Sequence, residues 1–137
     1  MLHRPSPVRR RGVTAVEFAL VAPVFFLFVL GAIEVGRGIM VAHQLTSAAR
    51  DACRAGVIAG TDDAAIKKVA TDALAAQGVT GVTATVKVNG TEANASTART
   101  NDLLTVTVTV PVSEVTWVPG GSFLKGKLGG QFCLRRE

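Results

Sequence analysis

The run from Phe18 to Ile33, FALVAPVFFLFVLGAI, carries no charge, and the longer stretch Val13–Ile33 carries one, Glu17. A helix crosses a bilayer core of about 30 Å with about 20 mainly apolar residues. Val13–Ile33 meets that requirement if Glu17 is tolerated. Four of the six phenylalanines lie in this stretch (Phe18, Phe25, Phe26 and Phe28). A small soluble domain has no use for a helix that is apolar on every side. The chain of 137 residues is the size of one domain. The reading that follows is a membrane-spanning helix carrying one small domain.

Charge supports that division. Hydrophobic residues make up 48% and charged residues 18% of the chain, where a soluble domain carries about 25% charged residues. Such a composition excludes a disordered polyelectrolyte. The net charge is +5, yet Arg4, Arg9, Arg10 and Arg11 precede Gly12 with no acid among them, and 11 basic residues face 10 acidic ones in the remainder. A nucleic-acid binder carries its basic stripe on the folded part, so no nucleic-acid partner is expected. Arg9–Arg11 stand directly before the apolar run, and by the positive-inside rule they keep the N-terminus cytoplasmic and send the rest outward. In a bacterium this describes a single-pass inner-membrane protein with a periplasmic C-terminal domain. Two plainer readings compete. A cleaved secretory signal has the same basic start, but its run is shorter and ends in a small-x-small site, for which Val29-Leu30-Gly31 and Leu30-Gly31-Ala32 are poor matches. A simple signal anchor leaves the carboxylate unexplained.

Glu17 is the most informative residue. An ionised carboxylate in hydrocarbon is costly, and a membrane-embedded acid is a functional hypothesis by default. Arg10 and Arg11 are its candidate partners, within about 10 Å along a helix rising 1.5 Å per residue. The alternative is that Glu17 snorkels to the interface beside them.

The segment RRGVTAVEFALVAPVFFLFVLGAIEVGRGIMVAHQLTSAARDACRAG, Arg10–Gly56, resembles the TadE-like pseudopilins of the tight-adherence (Flp, type IVb) pilus system. The likeness rests on several features in register: Arg11-Gly12 before the run, Glu17-Phe18, Pro23, Gly31, Ile33-Glu34, Gly36-Arg37 and Ala48-Ala49-Arg50. The resemblance implies a prepilin peptidase that recognises Arg9, Arg10 and Arg11 and cuts between Gly12 and Val13. Glu17 would then be the fifth residue of the mature chain. The freed α-amine of Val13, on the same or a neighbouring subunit, would supply its counter-ion, an attraction made large by a low dielectric. Glu17 and Phe18 are thereby assigned to assembly. Pro23 can kink the helix, which membrane helices tolerate.

Helical character continues past Ile33. Ala48, Ala52, Gly56 and Gly60 fall four apart, as do Ala49, Cys53 and Val57, giving a ridge of small residues on which a sheet or a second helix can lie. Arg37, Arg50 and Arg54 are expected to face water. One helix is expected over Val13–Ala59. Thr61 or Asp62 caps a second, with Ile66, Val69, Ala70, Ala73 and Leu74 on its apolar face and Gln77-Gly78 at its end. Val79–Val88 alternates, with Val82, Ala84, Val86 and Val88 on one face. Leu104–Val112 alternates most clearly, and Pro111 marks its end or an edge. Gln131–Arg135 is a short third strand, and Pro119–Gly130 an irregular loop. The two long strands pair antiparallel around the polar loop 89–102. Trp117 is either core or a partner contact, and core is the better supported of the two, since tryptophan is mostly buried. The fold class is α+β: a transmembrane helix (13–35) extended outside the membrane (36–60), then a small head (61–137) with a short helix and an antiparallel sheet, behind a basic leader (1–12). A pilin-like layout is what the resemblance implies.

Cys53 and Cys133 would both lie in an oxidising compartment. A bond between them would close a loop of about 80 residues and contribute roughly 3–5 kcal/mol in the entropic account. Otherwise both are small buried hydrophobes. No enzyme chemistry is expected. Gly121–Leu128 mimics a phosphate loop, but Leu128 replaces the required Ser or Thr. His3 and His43 fall on opposite sides of the proposed membrane, so no metal site or catalytic triad can be assembled. No cofactor and no small-molecule substrate are expected. The expected partners are the membrane, the prepilin peptidase, other pilins or pseudopilins and the inner-membrane assembly platform. The alternative is an uncleaved, membrane-anchored periplasmic binding or adaptor domain.

Overall fold

A computed structural model describes residues 11–58, 60–117 and 126–136. Helix α1 runs over Arg11–Val57 and includes Pro23. Helix α2 covers Asp63–Ala75, followed by strands β1 (Thr83–Val88), β2 (Leu103–Pro111) and β3 (Lys127–Arg135). Short 3₁₀ turns occupy Ala95–Thr97 and Val112–Glu114. The chain divides into two units between Ile33 and Glu34. In the first, every described residue belongs to α1. The second holds the rest of α1, α2 and the sheet. The α+β class expected from the sequence is the class found.

The sheet has the order β1-β2-β3, antiparallel throughout. Thr83 pairs with Thr109 and Val88 with Leu104 on one side of β2. On the other side Leu103 pairs with Arg135 and Pro111 with Lys127. The alternation of β2 decides its faces, since successive side chains point to opposite sides of a strand. Leu104, Val106, Val108 and Val110 are fully buried. The intervening threonines lie on the other face, where Thr105 stands between Lys87 and Cys133. Pro111 is the last residue of β2, where its missing N–H costs the ladder least.

The core of this unit is one cluster. Leu45, Ala49, Ala52 and Cys53 of α1, Ile66, Ala70 and Leu74 of α2, Val86 and Val88 of β1 and the inward residues of β2 are all buried, with Ala84 of β1 packed against them. Val69, expected on the apolar face of α2, is exposed. Small residues set how close the layers come. A side chain on Gly56 would run into Leu104 and Ile66, and one on Gly130 would overlap the backbone of Leu45 and Thr46. The ridge of small residues therefore serves to lay the sheet on α1.

Capping holds α2 in place. Asp62 is its N-cap and accepts from the Asp63 amide at 2.8 Å and from Asn94 Nδ2 at 2.9 Å. Asp63 accepts from the Ala95 amide at 2.7 Å, tying the start of α2 to the 3₁₀ turn. At the other end Gly78 has φ +77°, and the Val79 amide donates to Leu74 O at 3.0 Å. This is the left-handed glycine stop that Gln77-Gly78 announces.

Two expectations are corrected. The third strand begins at Lys127 rather than Gln131, so the end of the expected loop is strand. Gly129 and Gly130 hide it from propensity, yet Gly130 is where β3 comes against α1. Trp117 is not core: it is 72% exposed. The rest of the phosphate-loop mimic and of the expected loop, residues 118–125, lies outside the described residues.

Candidate functional site

The residues assigned to processing and assembly belong to the first turns of α1. Arg9 and Arg10 lie outside the described residues, as does the side chain of Arg11. Gly12 is helical, and nothing stands within 4 Å of where its Cβ would be. A side chain at this position meets none of the described residues. Val13 follows, 63% exposed. Glu17 sits one turn further along, the spacing at which helix side chains meet, and it is exposed like Phe18 beside it. Among the described residues Glu17 has no hydrogen-bond or ion-pair partner.

The surroundings of Glu17 are apolar and equally uncovered. Leu20, Val24, Phe25, Phe26, Leu27, Phe28 and Leu30 are all exposed, Phe28 to 76%. The rings of Phe25 and Phe26 meet edge to face with centroids 6.0 Å apart. A contiguous apolar surface of this extent marks a membrane or protein contact. Alpha1 is the one described helix long and apolar enough to cross a membrane, by length and composition. Chemically, the site offers a single carboxylate on a greasy helix surface, suited to pairing with one cationic group.

The cysteines do not form the expected bond. Both are free, Cys53 buried and Cys133 exposed. The strand's parity explains this. Phe132 and Leu134 turn toward the core, so Cys133 between them faces the other side. Cys133 lies 3.2 Å from Thr105 Oγ1 on that outer face. Cys53 sits under the sheet and donates to Leu104 O at 3.4 Å and to Phe132 O at 3.5 Å. Burial pushes its thiol up from the ordinary value, more than the Val106 and Leu134 backbone groups pull it down. The reading of Cys53 as a small buried hydrophobe holds for that residue alone.

Two features escaped the sequence. Arg37, expected in water, is half-buried; its Nε donates to Val115 O at 2.6 Å, and its guanidinium lies 4.4 Å from the ring centroid of Trp117. Arg136, near the end of a charged tail, is 6% exposed. Its guanidinium donates to Ala95 O at 2.6 Å, Ala98 O at 3.0 Å and Ile58 O at 3.3 Å, tying the 3₁₀ turn to the end of α1. Nothing in the local pattern QFCLRRE distinguishes it from a solvated arginine. Arg50 is exposed as expected but stacks on Phe132 at 4.9 Å.

Neither the curated proteins nor the solved structures give a match to this chain. A family model does, over about a third of the length. It covers Gly12, Val13, Glu17 and Phe18 and stops short of α2 and the sheet. Residues 12–54 match the family model described as TadE-like protein, so the likeness lies in the first turns of α1 and the rest of that helix and not in the head.

Proposed function

We propose that this protein is a minor pseudopilin, a non-enzymatic subunit in the assembly of a type IVb (Flp, tight adherence) pilus. It enters the bacterial inner membrane with its N-terminus cytoplasmic and its head outside. A prepilin peptidase recognises Arg9, Arg10 and Arg11 and cuts between Gly12 and Val13. The cut removes the basic leader and creates an α-amine at Val13. Glu17, at the fifth position of the mature chain, pairs with that amine on a neighbouring subunit. The observation that carries this reading is a carboxylate one turn past Val13, without a partner among the described residues, on an exposed apolar helix inside the segment that matches the TadE-like model.

The energetics favour pairing between subunits. A lone carboxylate in hydrocarbon costs a few kcal/mol even by the milder insertion scales, about 2.5–3.5 kcal/mol for Asp at a helix centre. An amine arriving from another subunit offsets that cost only when the helices pack side by side. The charge pair thus favours assembly over the isolated subunit.

Mass spectrometry of the protein from its native host tests the reading. A mature N-terminus at Val13, lost in Gly12→Asp, is the expected result. Because a side chain at position 12 meets nothing within 4 Å among the described residues, loss of cleavage would reflect the peptidase and not misfolding. Glu17→Ala should still be cleaved but should not enter filaments. An intact leader in the native host would leave an uncleaved, membrane-anchored adaptor, and normal filaments with Glu17→Ala would remove the role given to the carboxylate.

A further inference from the structure

We propose that the part of the head around Val35, Ile39, Met40 and Trp117 rests in the headgroup layer of the phospholipid bilayer, with Arg37 holding Trp117 there. This rests on the reading that α1 spans a membrane. It adds to that reading a second, separate contact between head and lipid.

The first observation is an inverted distribution of polarity. Where α1 enters the head, its two charged residues, Glu34 and Arg37, are half-buried, while Val35, Ile39 and Met40 are exposed. A water-facing helix surface has the opposite arrangement. Further along, the exposed positions turn polar: His43, Ser47, Arg50, Asp51 and Arg54. The exposed side of α1 therefore stays apolar as far as Met40 and becomes polar at His43, beyond the point where the charge-free run ends at Ile33.

The second observation concerns Trp117, the single tryptophan of the chain, which is 72% exposed. It is held in place: Arg37 bonds Val115 O, Val115 is buried, and the guanidinium stacks on the indole. A stack of this kind is an electrostatic attraction to the ring face that strengthens when it is desolvated. Tryptophan is enriched at the membrane–water boundary, where one part of the ring is apolar and the N–H is wet. Arginine beside it can reach lipid phosphate while its stem stays in apolar surroundings. Arg37 lies four residues past Ile33 on the same helix. The occupant that suits an apolar patch with a tryptophan–arginine edge, continuous with a spanning run, is the lipid surface.

The single tryptophan makes its own probe. The full chain is reconstituted into vesicles of phosphatidylcholine and phosphatidylglycerol at low protein-to-lipid ratio. Lipids brominated at different depths report on Trp117 from the membrane side, and acrylamide reports from the water side. The expected result is emission at shorter wavelength than in the denatured chain. Quenching should be strongest from bromines nearest the headgroup, and acrylamide quenching about threefold weaker than in the denatured chain. If the chain resists carbonate extraction from the vesicles but Trp117 is quenched fully by acrylamide and ignores the bromines, the inference falls and the spanning helix stands. If carbonate extracts the chain, both fall. Shielding that grows with protein-to-lipid ratio, without bromine quenching, would give the patch to a second copy of the chain and overturn the proposal.

Discussion

The two units use the same apolar residue types to opposite ends. From Val13 to Ile33 leucines, valines and phenylalanines lie exposed around the helix. From Glu34 onward the apolar residues gather on one side of each element, and Leu45, Ile66, Leu74, Val106 and Val108 are fully buried. The difference is periodicity. In the head, apolar residues recur every third or fourth position on the helices and every second on β2, so one face can be hidden within the unit. In the first unit they recur at nearly every position, and no packing within the chain can cover them all. The head supplies its own core, whereas the exposed apolar surface of the first unit calls for lipid or another protein to cover it.

Truncating one leucine in each unit is the sharpest way to break this comparison. Leu74→Ala should destabilise the head by roughly 2–5 kcal/mol, the usual cost of emptying a packed leucine site. Leu27→Ala, on the exposed run, should leave the head within about 0.5 kcal/mol of the native chain. Hydrogen exchange of the β2 amides in detergent-solubilised full chain reads the head alone. Equal losses from the two variants would mean that the units share a core.

Close packing gives the next test. Gly130→Ala forces a methyl group into the backbone of Leu45 and Thr46. The sheet must lift from α1, at a cost of about 1–3 kcal/mol or more. By contrast Gly31→Ala meets nothing within 4 Å, and the same exchange measurement should not register it. Arg136→Met removes the donors to Ala95, Ala98 and Ile58 carbonyls. Unsatisfied buried acceptors cost about 1–3 kcal/mol. The loss should show first in exchange around the 3₁₀ turn at Ala95–Thr97, since that turn is what the arginine ties down.

Much of this arrangement was legible in the residues. The apolar run, the alternation of β2, the aspartate cap and the glycine stop of α2 are local signals, each set by a few neighbouring residues. The position of Glu17 in the run was legible too, because a charge there contradicts its surroundings. What sequence reading missed depends on contacts between distant segments. Gly129-Gly130 reads as loop, yet it forms strand because Gly130 lies against the helix backbone. Trp117 reads as core by its bulk, but Arg37, 80 positions earlier, holds it at the surface. The expected Cys53–Cys133 pairing depends on strand parity at Cys133, which the presence of two cysteines does not fix.

Thiol labelling checks that parity at smaller energetic stakes. In the native chain a maleimide should modify Cys133 rapidly and Cys53 hardly at all. Cys53 is buried, and its raised pKa keeps it in the unreactive thiol form. Denaturant should expose the second thiol. Two fast-reacting thiols under native conditions would mean that the sheet does not lie on α1 at Cys53.

The smallest effect belongs to a loop on the head's surface. Asp102 accepts from the Arg99 amide at 2.7 Å and from Asn89 Nδ2 at 2.8 Å. Asn89 in turn accepts from the Leu103 amide at 2.9 Å, so the aspartate steadies the start of β2. The Arg99 amide, and then the Asn89 side chain, hold its carboxyl below the ordinary range. A carboxylate with a lowered folded pKa contributes its full stability above the unfolded value, about 3.9. That contribution is lost as pH falls through the lower folded value. Acidification to pH 3 should therefore speed exchange at Arg99 and Leu103 relative to the core of β2. Asp102→Asn should show the faster exchange already at pH 6, with little further change in that ratio on acidification. Because Asp102 is solvent-accessible, the core amides of β2 should barely respond. A response there as large as that of Leu74→Ala would mean that the head depends on its surface loop as much as on its buried face.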